Sequence, residues 1–227
     1  PGGASADERP PAEQLLEPAD TESFVWPYTS RGHTTEERTL ALNVVIVGSP
    51  EAVRAALTDR SELTWETTES DRGVDSATIS ENVSISENVS ISEDVRLPEN
   101  VTISAWNPAR GAARYTYVAD SAGSGQWVES EYQLATGTYL GSRTHIRAYP
   151  GPDDNWTALQ AHTEYWDWFR LRHTVTGVEP GAAFVEQDLE DEPFVAAVDR
   201  RTRGSLGGGS DGAWVAVEFA AATLLGA

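Results

Sequence analysis

The chain has 227 residues, 36 acidic side chains against 16 basic ones and a formal net charge of −20. Every cation is an arginine, and lysine, cysteine and methionine are all absent. That balance excludes a disulfide framework and thiolate chemistry, and it excludes nucleic acid as a partner, because phosphate binding needs clustered Lys or Arg to release counterions.

Hydrophobic residues make up 39% of the chain, with eight tryptophans and seven tyrosines, enough to bury a core in one or two domains. A surface this acidic repels itself in dilute solution and is tolerated where salt screens it, since at about 1 M the Debye length is only ~3 Å. The composition predicts a protein of an extreme, archaeal halophile.

Residues 1–22 are rich in Pro, Gly, Ala and Glu without an apolar period, and read as an N-terminal tether. The start Pro1-Gly2-Gly3-Ala4 carries no initiator methionine and reads as the product of processing after export. A domain is expected over residues 23–203, opening near Phe24. Leu40 to Val47 is a continuous apolar run interrupted only by Asn43, read as one buried strand. Ser49-Pro50-Glu51 then supplies an N-cap, a proline for the first helical position and an acid for the first turn. Val53, Ala56 and Leu57 extend that helix to about Arg60.

Residues 78–104 hold a six-residue repeat, with Ile79-Ser80-Glu81-Asn82-Val83 followed by Ile85-Ser86-Glu87-Asn88-Val89 and two further copies. Apolar residues share one face with Glu81, Glu87, Glu93 and Glu99, and four hexads make little more than one coil of a β-helix. An exposed hairpin or loop insertion is therefore expected. Beyond it, strands are predicted at Arg114–Val118, Thr138–Leu140, about Thr144–Arg147, Trp156–Trp166 and Phe169–Val175, with turns near 121–125, 151–154 and 166–168. Glu179-Pro180 starts a second helix. Residues 204–212 form a glycine-rich linker, and the apolar segment 213–227 follows. At fifteen residues it spans about 22 Å as helix, against the roughly 20 residues a bilayer needs. It reads as a terminal core element, a subunit-docking segment or the start of a membrane anchor. The fold class expected is α+β: a mainly antiparallel sheet, two packed helices and the hexapeptide insertion.

Four N-glycosylation sequons begin at Asn82, Asn88, Asn100 and Asn155, three of them inside the repeat, so glycans are expected there if the chain is exported. Three of the four histidines lie within 29 residues on consecutive predicted strands: His145, His162 and His173. Antiparallel pairing would bring them together with Glu164, where neutral imidazoles and a carboxylate suit zinc or a similar ion. The bland alternative is histidines packed among tryptophans. No cofactor is expected apart from a divalent metal at that cluster. Acid pairs such as Asp153-Asp154 belong to solvated faces, and no nucleophile elbow, P-loop or dinucleotide fingerprint is present.

Asn43-Val44-Val45-Ile46-Val47-Gly48-Ser49 with its helix, and the stretch from Arg143-Thr144-His145-Ile146-Arg147 through Gln187-Asp188-Leu189, carry a resemblance. They resemble the C-terminal domain of LssY-type proteins, where a strand ending in Gly-Ser precedes a helix. In that family a His-x-Arg strand is later followed by a histidine and an acidic helix ending in Asp-Leu. The hexad insertion and an extra aromatic strand depart from the pattern. The resemblance implies a membrane- or envelope-associated α+β domain and supplies no reaction.

These readings combine into an exported, N-glycosylated cell-surface or extracellular assembly protein with a structural or attachment role. Its partners would be further copies or another surface protein, held through the termini, with membrane anchoring through 213–227. Two alternatives stand beside it: a metal-assisted hydrolase centred on His145, His162, Glu164 and His173, and a sugar- or lipid-binding module using Trp156, Trp166 and Trp168 as platforms.

Overall fold

The structure, a computed structural model, describes residues 7–18, 22–61, 65–67, 113–202 and 212–220. The hexad repeat 78–104, with Asn82, Asn88 and Asn100, lies outside the described residues, as does the linker apart from Gly212. The described residues form an α+β fold of two sheets and two α-helices, and the strand pairing is mostly antiparallel.

The smaller sheet holds β1 (Phe24–Val25), β2 (Tyr28–Ser30), β3 (Arg38–Ala41), β6 (Tyr115–Ala119) and β7 (Gly125–Glu129). The larger contains β4 (Val44–Val47), β5 (Glu66–Thr67), β8 (Tyr132–Gly137), β9 (Ser142–Pro150), β10 (Trp156–Asp167), β11 (Arg172–Gly177), β12 (Val195–Thr202) and β13 (Ala213–Phe219). Its order is β12-β13-β4-β10-β9-β8-β5. Strand β10 meets β4 through its first residues and β11 through its last, while β9 follows it along the other edge.

Helices α1 (Pro50–Ala55) and α2 (Glu179–Glu190) cover one face of the large sheet. Val53, Leu57, Val185 and Leu189 pack there against Ile46, Ile146, Leu159, Ala161 and Val217. Burying such side chains stabilises by about 1.5–3 kcal/mol each. The small sheet covers part of the opposite face, where Val25, Leu42 and Val118 meet Val45, Tyr149, Trp156, Ala158 and Trp214. Alternation along β10 thus sends odd positions to the helices and even positions to the other side.

Helix α1 starts as its sequence predicts: Ser49 Oγ accepts from the Ala52 N–H at 3.2 Å and Pro50 takes the first position. The helix does not continue regularly to Arg60; Ala56–Arg60 widens into a π-helical turn. Helix α2 rests on β10 through Gly181. A Cβ at that position would stand 2.5 Å from both Cα and N of His162. Only glycine lets helix and strand approach so closely.

The run read as a single strand over 40–47 is two strands in two different sheets, β3 and β4, separated by Leu42-Asn43. Asn43 is the joint. Its Nδ2 donates to the carbonyls of Ala161 and Val178 at 2.8 and 2.9 Å, and its Oδ1 accepts from the Ala161 N–H at 2.8 Å. A buried amide satisfied in this way extends the ladder to β10 where β4 has not yet begun, and ties in the approach to α2. Thr138–Leu140, expected as strand, lies in the turn between β8 and β9, and the aromatic turn falls at 168–171.

Two boundaries drawn from composition do not separate structural units. Residues 7–18 of the expected tether lie against the small sheet: Leu16 bridges Val25, Trp26 Nε1 donates to Gln14, and Trp127 Nε1 donates to the Glu8 carbonyl. Residues 213–219 of the expected terminal segment are β13, hydrogen-bonded between β12 and β4 and parallel to the latter. Those seven residues are interior to the sheet, paired on both edges, and residues 221–227 lie outside the described residues. No helix among the described residues is long and apolar enough to cross a membrane.

Candidate metal centre

Antiparallel register does what spacing could only suggest. His162 of β10 stands directly opposite His145 of β9, and Glu164 stands opposite Arg143. All four project from the face turned away from the helices. The two imidazoles meet edge to face, with ring centroids 5.0 Å apart. One ligand atom from each of His145, His162 and Glu164 lies within 4.8 Å of the others. The three residues are only 4%, 3% and 6% exposed.

A chain of polar contacts crosses the cluster. His162 Nδ1 is 3.1 Å from Gln160 Oε1, and His162 Nε2 is 3.2 Å from Glu164 Oε2. Arg143 Nε donates to the other oxygen, Oε1, of the same carboxylate. Gln160 is two residues before His162 and shares its face, which is why it can orient the ring. Protonated on Nε2, His162 donates to Glu164 Oε2; protonated on Nδ1, it donates to Gln160 Oε1 and turns the Nε2 lone pair toward the carboxylate. The second form is the one that offers Nε2 to a cation shared with Glu164.

The electrostatics follow from burial. Burial opposes ionisation of Glu164, but the hydrogen bond with His162 and the Arg143 guanidinium outweigh it and hold the carboxyl well below the ordinary carboxylate range. His145 is driven the other way: burial, then repulsion from His162, hold its imidazole well below the usual histidine value, and Glu164 offsets this only in part. His145 is therefore a neutral imidazole, the form that binds metals. Its Nδ1 is buried without a hydrogen-bond partner.

The fourth residue expected at the centre is placed elsewhere. His173, on β11, donates from Nε2 to the Tyr139 carbonyl at 2.7 Å, and its Nδ1 stands 3.3 Å from Arg143 Nη2. Both ring nitrogens are engaged, and the Arg143 guanidinium lies between His173 and Glu164. Arg143 and Gln160 are site residues that reading the histidines missed. Their signal was present as a period of two: Arg143-x-His145-x-Arg147 and Gln160-x-His162-x-Glu164 each set three polar side chains on one strand face.

The other sequence-predicted positions are scattered. Trp156 and Trp166 are buried, and of the three candidate platforms only Trp168 is exposed. Asn155 is exposed on the turn between β9 and β10. The class defined is thus an α+β domain with a buried His–His–Glu cluster on the sheet face away from its helices. No protein-family model, no curated protein and no solved structure matches the chain.

Proposed function

We propose that the chain binds a divalent metal ion of the zinc class through His145, His162 and Glu164, and that the ion is structural. The carrying observation is the pair His162 Nε2 and Glu164 Oε2 at 3.2 Å, with the other ring nitrogen directed at Gln160. Two ligand atoms of one tetrahedral zinc ion stand about 3.4 Å apart, so this pair already has ligand spacing. Gln160 would fix the ring and its tautomer, and Arg143 would hold the second oxygen of Glu164, leaving one for the ion. Binding would displace the proton between His162 and Glu164, so affinity should rise with pH.

A metal-assisted hydrolase needs an open coordination position within reach of a substrate oxygen. Three donors this deeply buried favour an ion that ties β9 to β10 instead. The test is metal content by mass spectrometry together with thermal unfolding, with and without added Zn2+, on wild type and His162→Ala. Near-stoichiometric metal and a Zn2+-dependent rise in Tm that His162→Ala loses are expected. A trace of metal with no shift in Tm would remove the reading.

A second reading concerns where the protein works, and Asn155 favours it. The residue is exposed on a turn, as a glycan acceptor must be, although Trp156 and Thr157 behind it are buried. An exported, glycosylated surface or assembly protein of a halophile combines this with the acidic, lysine-free composition and the sequon repeat. The LssY-type resemblance remains a proposal resting on β4 with α1 and on the span from β9 to α2. Intact mass and light scattering on natively produced protein in concentrated salt test the surface reading. A bare monomer of the calculated 24.6 kDa would overturn it.

A further inference from the structure

The large hydrophobic side chains exposed among the described residues are Tyr139, Tyr165, Trp168, Phe169, Leu171 and Val175. All six belong to one end of the molecule: the hairpin β10–β11 and the adjoining turn between β8 and β9. Scattered apolar exposure is ordinary, but Trp168, Phe169 and Leu171 fall together in one hairpin turn, and clustered exposure of this kind marks an interaction surface. Phe169, at the tip, is fully exposed, and Trp168 beside it is 61% exposed.

The tip is held in this presentation. Asp167 Oδ1 accepts from the Phe169 and Arg170 N–H groups at 3.0 and 3.1 Å, and Leu171 occupies the left-handed region with φ 50°. Behind it Trp166 packs edge-on to Trp168 and His173. A capping aspartate and a left-handed residue are ordinary means of closing a short hairpin loop, and here they fix where the aromatic side chains stand.

The same place is not acidic. Over residues 165–177 the charged side chains are Arg170 and Arg172 against Asp167, which pairs with Arg170 at 3.7 Å, so two positive less one negative leaves +1, in a chain whose total is −20. Residues 138–142 carry no charge. Tryptophan, phenylalanine and leucine flanked by arginine is the chemistry of the bilayer interface, where rings sit at headgroup depth and guanidinium groups bind phosphate.

We propose that the β10–β11 tip is a membrane-docking wedge for an anionic lipid bilayer: Trp168, Phe169 and Leu171 enter the interface, and Arg170 and Arg172 contact lipid phosphates. This does not depend on the metal. Docking should strengthen as salt is raised toward about 1 M, because the Debye length shrinks to ~3 Å and the distant acidic surface no longer repels the bilayer. A simple basic patch would weaken under the same change.

The test is flotation of the full chain with phosphatidylglycerol or phosphatidylcholine vesicles across a series of NaCl concentrations. Wild type, Trp168→Ser/Phe169→Ser and Arg170→Gln/Arg172→Gln are compared, with near-ultraviolet circular dichroism confirming the fold. Wild type should float with phosphatidylglycerol vesicles, and the aromatic double variant should lose about tenfold or more in partitioning. The arginine variant should lose the preference for phosphatidylglycerol over phosphatidylcholine. Absence of wild-type flotation at every salt concentration, or equal flotation of the aromatic variant, would overturn the proposal. So would concentration-dependent self-association abolished by the aromatic variant without vesicle binding, which would make the tip a contact between copies.

Discussion

The two halves of β10 are made from the same strand geometry and reach opposite solutions. From Trp156 to Leu159 the strand is covered on one face by helices and on the other by the small sheet, and successive side chains are buried irrespective of parity. From Gln160 to Asp167 the face away from the helices carries the polar network, and the strand runs out into the exposed aromatic tip. The first half is stabilised by removal of apolar surface from water, which is tolerant of detail. The second depends on every charge finding its partner, which is not.

The sharpest way to break the polar half is Arg143→Leu in metal-free protein. It leaves the Glu164 carboxylate buried without its guanidinium and should cost about 3–5 kcal/mol. The double variant Arg143→Leu/Glu164→Leu should recover much of that loss, as read from denaturant midpoints at fixed salt. Leu159→Ala is the matching change in the apolar half. With Leu159 fully buried against both helices, about 2–5 kcal/mol is expected, with Zn2+ response intact. Zn2+ at a hundredfold over its Kd should stabilise wild type by about 2.7 kcal/mol, and His145→Ala should abolish that gain.

Acidification separates the halves without mutation. His145 has its folded value below its unfolded one near 6.5, so the unfolded chain takes up a proton first and stability falls as pH drops below that point. Glu164 is also depressed, so its contribution is present above about 4.5 and is lost as pH falls further. Metal-free wild type should show both losses in pH-dependent unfolding, and His145→Phe should lack the first. The smallest effect expected is at the helix cap: Ser49→Ala should cost about 1 kcal/mol and leave both metal binding and the acid profile unchanged.

Much of this architecture was readable from local signals. The cap at Ser49-Pro50-Glu51 announced α1, and Glu179-Pro180 announced α2, because capping and proline placement are decided within a few residues. Alternation over Trp156–Trp166 announced β10 for the same reason. The gathering of His145, His162 and Glu164 was legible as a candidate only, since consecutive strands can pair in more than one register. His173 shows the limit: it lies one strand further on, but Arg143 reaches it first. Asn43 gave no warning beyond being a polar residue in an apolar run. Its amide side chain matters only because Ala161 and Val178, distant in the chain, present backbone groups to it.

By itself the sequence determined the acidic, lysine-free surface, the two helix starts and the period-two faces of the long strands. These depend on composition and on neighbours a few positions apart. The tertiary structure decided that 40–47 divides between two sheets, that Ala213–Phe219 enters the large sheet beside β4, and that His162 faces His145 while Arg143 takes Glu164. Each is a pairing between segments far apart in the chain, selected by which faces must be buried together and which charges must then be satisfied.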